Sequence, residues 1–191
     1  MLLHIIPSKA RRKVLALFFH HPDEHYYLRK IVRDISEEVN AVKRELDILS
    51  EEKVLLKERR LNKIFYTLNK NYLFYDEFLR IFTKIGFLPN EIYENQSKLG
   101  KLKFVVISTK FAKKSPIKED EIYLLIVGTV VVPEMAAIVK ASETSFGREI
   151  NYTVMGEDEF IFRKRNNDPF IWRFLKQPII MLIGSADELL K

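Results

Sequence analysis

The chain is 191 residues long, with 47% apolar and 30% charged residues and 32 basic against 26 acidic side chains, a formal net charge of +6. At ~100–200 residues per domain it holds one or two domains and not three, and this apolar content excludes wholesale disorder. Cysteine is absent, which excludes disulfides, thiolate metal sites and a thiol nucleophile and suits a reducing compartment, while the positive balance admits a polyanionic partner.

In the opening MLLHIIPSKARRK the apolar residues precede the basic ones, the reverse of a secretory signal, and no apolar run approaches the ~20 residues of a membrane span. A cytoplasmic protein without a membrane partner is expected. Ser8 is placed to cap a helix running to about Phe19, with Ala10, Val14, Leu17 and Phe18 as its apolar stripe. His20, His21 and Pro22 end it. The segment HHPDEH holds several metal-ligand residue types, but their spacing falls across a helix end and a proline turn and fits no standard site, so neither metal nor cofactor is expected. Leu28, Ile31, Val32 and Ile35 follow the i, i+3, i+4, i+7 spacing of a second, short helix that breaks near Ser36 and Glu37. A third helix is predicted from about Glu38 to Glu52, with Val39, Val42, Leu46 and Leu49 turned inward. Two β-rich runs, 54–59 and 64–68, flank a polar turn and read as a hairpin. Asn71 is predicted to cap a helix from Tyr72 to Ile85 whose apolar residues lie nearly all round, as on a helix buried on more than one side. The texture then changes over 84–100, which divides the chain into domains 1–85 and 86–191.

Helix, helix, helix, hairpin, linker helix is the order of a winged helix-turn-helix. Tyr27-Leu28-Arg29-Lys30-Ile31, Ala41-Val42-Lys43-Arg44-Glu45-Leu46, and the stretch from Lys53-Val54-Leu55 to Tyr66-Thr67-Leu68-Asn69 resemble the second helix, recognition helix and wing of one family. These are the small prokaryotic regulators of the arsenic-repressor and multiple-antibiotic-resistance type, and the resemblance covers roughly residues 8–85. It implies binding to double-stranded DNA. On the third helix Asn40, Lys43, Arg44 and Asp47 are left facing outward, and Asn, Lys and Arg carry the donors that read adenine and guanine edges in the major groove. Residues 53–63 hold Lys53, Lys57, Arg59, Arg60 and Lys63 against Glu58, a net +4 suited to phosphate or the minor groove. Arg29 and Lys30, opening the second helix, are further phosphate candidates. Glu37 and Glu38 favour the dipole of the third helix at its N-terminus yet repel phosphate there. Tyr26 and Tyr27 stand between phosphate contact and core.

In the second half, strands are predicted at 102–107, 121–127, 150–154 and 179–183, and helices at 133–144, 157–165 and 169–176. A basic loop, 110–118, follows the first strand, and Ser185-Ala186-Asp187-Glu188 reads as a capping box. This is a small α/β domain. Asp120 to Gly128, Gly147 to Val154 and Asp168-Pro169-Phe170 resemble the minimal nucleotidyltransferase-like domain over about 100–184. The resemblance implies a Gly-Ser phosphate loop after the first strand and carboxylates that hold divalent metal for phosphoryl transfer. At the matching positions this chain has Ser108-Thr109, without the glycine, and Glu121, Tyr123 and Asn151, of which Glu121 alone is anionic. No catalytic residue and no metal are therefore expected. The lysines of the loop, Lys110, Lys113, Lys114 and Lys118, with no acid among them, remain candidates for a phosphate-bearing or other small-molecule effector.

The expectation is thus an α+β protein: an N-terminal winged helix with a linker helix, and a C-terminal nucleotidyltransferase-like domain without chemistry. Its expected work is sequence-specific DNA binding as a transcriptional regulator, a homodimer in which the second domain senses or dimerises. The alternatives are a nucleotidyltransferase or toxin–antitoxin component recruited by its winged helix, and a protein-interaction module.

Overall fold

A computed structural model describes residues 5–191; the first four residues, part of the apolar-before-basic opening, lie outside it. The protein is mixed α+β, with two small sheets, and divides into two compact units, up to Thr83 and from Lys84 on. Among the described residues no helix is long and apolar enough to cross a membrane.

In the first unit, helix α1 (Lys9–His20) starts where Ser8 Oγ accepts the Arg11 amide at 3.2 Å. Its buried stripe includes Leu15 and Phe19 with Ala10, Val14 and Phe18; Leu17 is only half-buried, a correction to the expected face. Phe19 turns inward because it stacks on Phe82, at 5.2 Å between ring centres, and on Phe78 at 5.7 Å. Strand β1 (Tyr26–Tyr27) leads into α2 (Leu28–Ile35), which stops at Ser36 in the left-handed region. Three residues later α3 (Val39–Glu51) begins, capped by Glu38, whose carboxylate accepts the Ala41 amide at 2.8 Å. Strands β2 (Leu55–Arg60) and β3 (Lys63–Leu68) form a hairpin in register Leu55 with Leu68 through Arg60 with Lys63. The sheet order is β1-β3-β2.

The inward face of α3 differs from expectation at one position that matters. Val39 is 47% exposed, while Glu45 is only 2% exposed. The stripe is Val42, Glu45, Leu46 and Leu49, again at i, i+3, i+4 and i+7. The Glu45 carboxylate accepts the Ser8 hydroxyl at 2.7 Å and Arg11 Nε at 2.7 Å, tying the start of α1 to the middle of α3. Burial pushes this carboxyl up, but the Ser8 and Arg11 bonds and the Arg11 and Arg44 charges outweigh burial and hold it below the usual carboxylate range.

Helix α4 (Tyr75–Lys84) starts later than the expected Tyr72. Asn71 does not cap it; Asn69 Oδ1 instead accepts the Asn71 amide at 3.1 Å in an Asx turn. The helix buries Tyr75, Leu79, Phe82 and Thr83 but leaves Ile81 exposed, and Leu73 just before it is 82% exposed. It is amphipathic rather than buried on all sides.

The second unit opens with α5 (Phe87–Glu94), inside the stretch expected to be a boundary. Gly86 is its N-cap, and Pro89 falls in the first turn, where its missing N–H would have had no partner anyway. Strands β4 (Gly100–Ser108), β5 (Leu124–Val130), β6 (Tyr152–Met155) and β7 (Ile179–Ile183) form a sheet in the order β6-β5-β4-β7, antiparallel except for β5 with β6. That parallel pair is joined through α7 (Val132–Phe146), ended by Gly147 in the left-handed region. Alternation along β4 and β5 sends Val105, Ile107, Leu124 and Ile126 to the core shared with α5 and α7. Phe104, Val106, Leu125 and Val127 go to the core shared with α8 (Glu157–Arg165) and α9 (Pro169–Leu175). A bulge between Leu102 and Phe104 faces Gly128, whose φ is 146° and where a Cβ would lie 2.2 Å from the Lys101 carbonyl oxygen. A one-turn helix α6 (Thr109–Ala112) starts the basic loop, and α10 (Ala186–Leu190) closes the chain. Ser185 makes no side-chain cap bond and Glu188 instead pairs with Lys103 at 3.6 Å, so the expected capping box is not formed.

The bonds to Glu45 make stability depend on pH. Its carboxyl titrates lower folded than unfolded, so its contribution is present above the ordinary carboxylate range near ~4.3 and is lost as pH falls from there through the lower folded value. Glu45→Gln should flatten the fall in stability between about pH 5 and 3, and Glu45→Ala should destabilise by about 1–3 kcal/mol at pH 7, as read by urea unfolding followed by far-ultraviolet circular dichroism.

Candidate nucleic-acid interface

Of the nine expected DNA-contacting residues, those on α3 lie outward as expected: Asn40, Lys43 and Arg44 are all exposed. No ion pair engages Lys43 or Arg44 among the described residues, though the Arg44 charge helps hold the Glu38 and Glu45 carboxyls ionised. A helix of 13 residues is ~20 Å long and of a width the major groove admits. The acidic obstacle at its N-terminus is half removed. Glu37 turns back to α1, with Oε1 at 2.7 Å from Lys13 Nζ and 2.9 Å from Lys9 Nζ, and the Lys13 and Lys9 bonds lower its pKa. Glu38 is used as the cap and is held ionised by the Asn40 and Ala41 amides.

On the hairpin the charges are less free than the sequence suggests. Lys57 Nζ bonds Asp47 Oδ1 at 2.7 Å and lies 5.9 Å over the Tyr66 ring, which brings β2 beside the outward face of α3. Arg60 bonds Glu58 at 2.6 Å and lies over Phe65. Lys63 sits 4.6 Å over the Tyr27 ring. Arg59 is exposed with no ion pair among the described residues. Exposed pairs such as these are weak and screened by salt, so their cations exchange partners readily. At the tip Leu61 is 94% exposed with φ at 50°, a left-handed conformation that costs a leucine ~1–2 kcal/mol.

At the start of α2 Arg29 is exposed, whereas Lys30 lies 4.4 Å over the Tyr26 ring. Tyr26 itself is core: it packs edge-on against Phe18 at 5.3 Å, and burial, with the Glu24 and Asp34 charges, pushes its hydroxyl pKa up to about 12. Sequence reasoning missed Glu45 and the β1–β3 pairing. Spacing places Glu45 beside Val42, Leu46 and Leu49, but its charge reads as surface until its partners Ser8 and Arg11 are known.

In the second unit Glu121, Tyr123 and Asn151 do not converge. Glu121 and Asn151 line one recess with Phe170. Tyr123 is buried elsewhere: its hydroxyl donates to the Ser115 carbonyl at 2.9 Å, and the Arg148 guanidinium lies 4.9 Å over its ring. Both Glu121 oxygens accept from Lys110 Nζ, at 2.9 and 3.0 Å, and one also accepts the Lys118 amide. Those bonds, Lys110 first, lower its pKa. Lys110 is therefore not an open phosphate ligand, a correction to the expectation for the basic loop. Ser108 is fully buried, donates to Gln177 Oε1 at 3.0 Å and accepts the Lys110 amide as the cap of α6. Among the described residues no three ligating side chains gather as around a metal ion.

No protein-family model, no curated protein and no solved structure matches the chain.

Proposed function

We propose that the first unit is a winged helix-turn-helix that binds double-stranded DNA and that the protein is a sequence-specific transcriptional regulator. The observation that carries this reading is the Lys57–Asp47 bond, which sets a basic hairpin beside the exposed Asn40, Lys43 and Arg44 of α3. In this arrangement α3 enters the major groove, where Arg44 and Lys43 address guanine and Asn40 adenine. The hairpin follows the backbone, with Arg59, Arg60, Lys57 and Lys63 on phosphate or in the minor groove, and Arg29 and Lys30 contact phosphate from α2. Two-fold symmetry doubles a contact that one such module makes too small for tight, specific binding, and the exposed Phe74 and Ile81 of the α4 region supply an apolar surface for a second copy.

The second unit, in this reading, has a nucleotidyltransferase-like ancestry without the activity, and serves as a sensor or dimerisation platform. Metal-assisted phosphoryl transfer needs carboxylates free to hold the cation. Glu121 is occupied by Lys110, and tyrosine and asparagine stand at the other two positions.

Binding isotherms on random and selected duplexes over a salt series test the first part. Arg59→Ala with Arg60→Ala should weaken every duplex and reduce the salt slope by ~1 for each phosphate no longer neutralised. Arg44→Ala should cost ~1–3 kcal/mol at one position of the preferred site and relax choice there. Absence of salt-dependent binding favours a protein-interaction module instead. Light scattering at working concentration should give a dimer mass, reduced to the monomer by Ile81→Glu. Incubation with labelled ATP, CTP, GTP or UTP and magnesium or manganese should label neither the protein nor an RNA or protein acceptor; labelling that disappears in Glu121→Ala establishes the transferase alternative.

A further inference from the structure

The second unit holds a cavity of about 540 Å³ between β4, β5, α8, α9 and α10, within the ~300–1,000 Å³ range of small-molecule sites. It is separate from the recess at Glu121. Its floor and walls are apolar: Phe104, Val127, Phe160 and Trp172 line it. The Phe104 and Phe160 rings stand 6.0 Å apart at an angle of 57°. Trp172 has its only side-chain donor committed, Nε1 bonding the Lys164 carbonyl at 3.1 Å, so it offers the cavity an aromatic surface and no hydrogen bond.

The charged lining is unbalanced. Lys103, Lys164, Arg165 and Lys191 face Glu157 and Glu188, and Glu188 is already paired with Lys103. Lys103 lies 5.8 Å from the Phe104 ring but is paired with Glu188; Lys164 is the cation beside the apolar wall without such a pair among the described residues. Its ammonium donates to the Leu189 carbonyl at 2.7 Å and lies 6.0 Å over the Phe160 ring, with no carboxylate partner among the described residues. Partial desolvation lowers its pKa. An ammonium has three donors and this one has a single strong acceptor, so an anion entering here gains a charge-assisted bond at a site already part-dehydrated. A cation meets the wrong sign, and a neutral sugar finds few fixed polar groups to replace its water.

We propose that this cavity binds a small molecule with an apolar body and one anionic head, an aliphatic or aromatic carboxylate, with the head on Lys164 and Arg165 and the body against Phe104, Phe160 and Trp172. The proposal stands on this unit alone and does not depend on DNA binding. Trp172 is the single tryptophan of the chain, so its emission reports directly on the site.

The test titrates the full chain with decanoate and with decanol, its uncharged analogue, and follows Trp172 fluorescence. Decanoate should give a saturable change and bind about tenfold or more tightly than decanol. Lys164→Met should remove most of that preference while leaving decanol binding in place, and Arg165→Gln should reduce it. No saturable change, equal binding of the two probes, or a preference untouched by both substitutions overturns the proposal. Circular dichroism checks that each variant is folded. If Lys164→Met is not, the wild-type ratio of the two probes and Arg165→Gln decide.

Discussion

The first unit turns on one buried carboxylate. An apolar stripe on a helix fixes which side faces the core only loosely, because leucine and valine tolerate rotation about the helix axis by a fraction of the ~100° between successive residues. Glu45 removes that latitude. Its two oxygens are held by Ser8 Oγ and Arg11 Nε, and a buried carboxylate that loses such partners is strongly penalised. The helix can therefore sit in one rotational setting, with Arg44 and Lys43, its immediate and next neighbours, outward. The same Ser8 that accepts the Arg11 amide to begin α1 also donates to Glu45, so the start of one helix and the setting of another are a single hydrogen-bonded unit. Buried ion pairs add little net stability over apolar packing; what this one adds is orientation.

The outward surface is built on the opposite principle. Lys57–Asp47 and Arg60–Glu58 are exposed, screened and weak, and the lysines at 30 and 63 rest over tyrosine rings. Such contacts restrict long side chains without holding them against exchange. Leu61 fits this division. A left-handed, almost fully exposed leucine at a hairpin tip contributes nothing to folding that a glycine would not supply more cheaply, and it stands where the hairpin projects furthest.

Legibility in the sequence followed the range of the interactions. Helices α2 and α8 and strand β7 have the expected boundaries because the apolar spacing of α2, the acidic first turn and basic last turn of α8 and the β-branched run of β7 are local. The failures are contacts that join distant residues. Strand β1 is two residues long and exists only through pairing with β3. Glu45 reads as a surface residue until Ser8 and Arg11, more than thirty positions away, are brought to it. Lys110 reads as a free loop cation until Glu121 folds back onto it. Helix α5 was hidden by Gly86 and Pro89, two residues that break helices in the middle and are tolerated at the start. The acidic–serine pattern at Ser185 had the spacing of a capping box, but Glu188 found Lys103 instead.

In the second unit the two faces of one sheet carry different liabilities. Strict alternation sends Val105 and Ile126 to one side and Phe104 and Val127 to the other. On the first side Tyr123 and Arg148 fill the space with a ring, a guanidinium and their backbone partners, so what a smaller side chain would leave open is occupied by structure. On the second side the short helices α8, α9 and α10 bury Phe104 and Val127 yet leave a cavity beside them, with Ile161 and Leu190 exposed along it. The stem of Lys164 packs there while its head stays part-wet, which makes this lysine tolerable without a ligand and better satisfied with one. Packing one face solid with a ring and a guanidinium while covering the other with short helices leaves a single sheet with a closed side and an open basin, and the charges that rim the basin suit it to anions rather than metal ions.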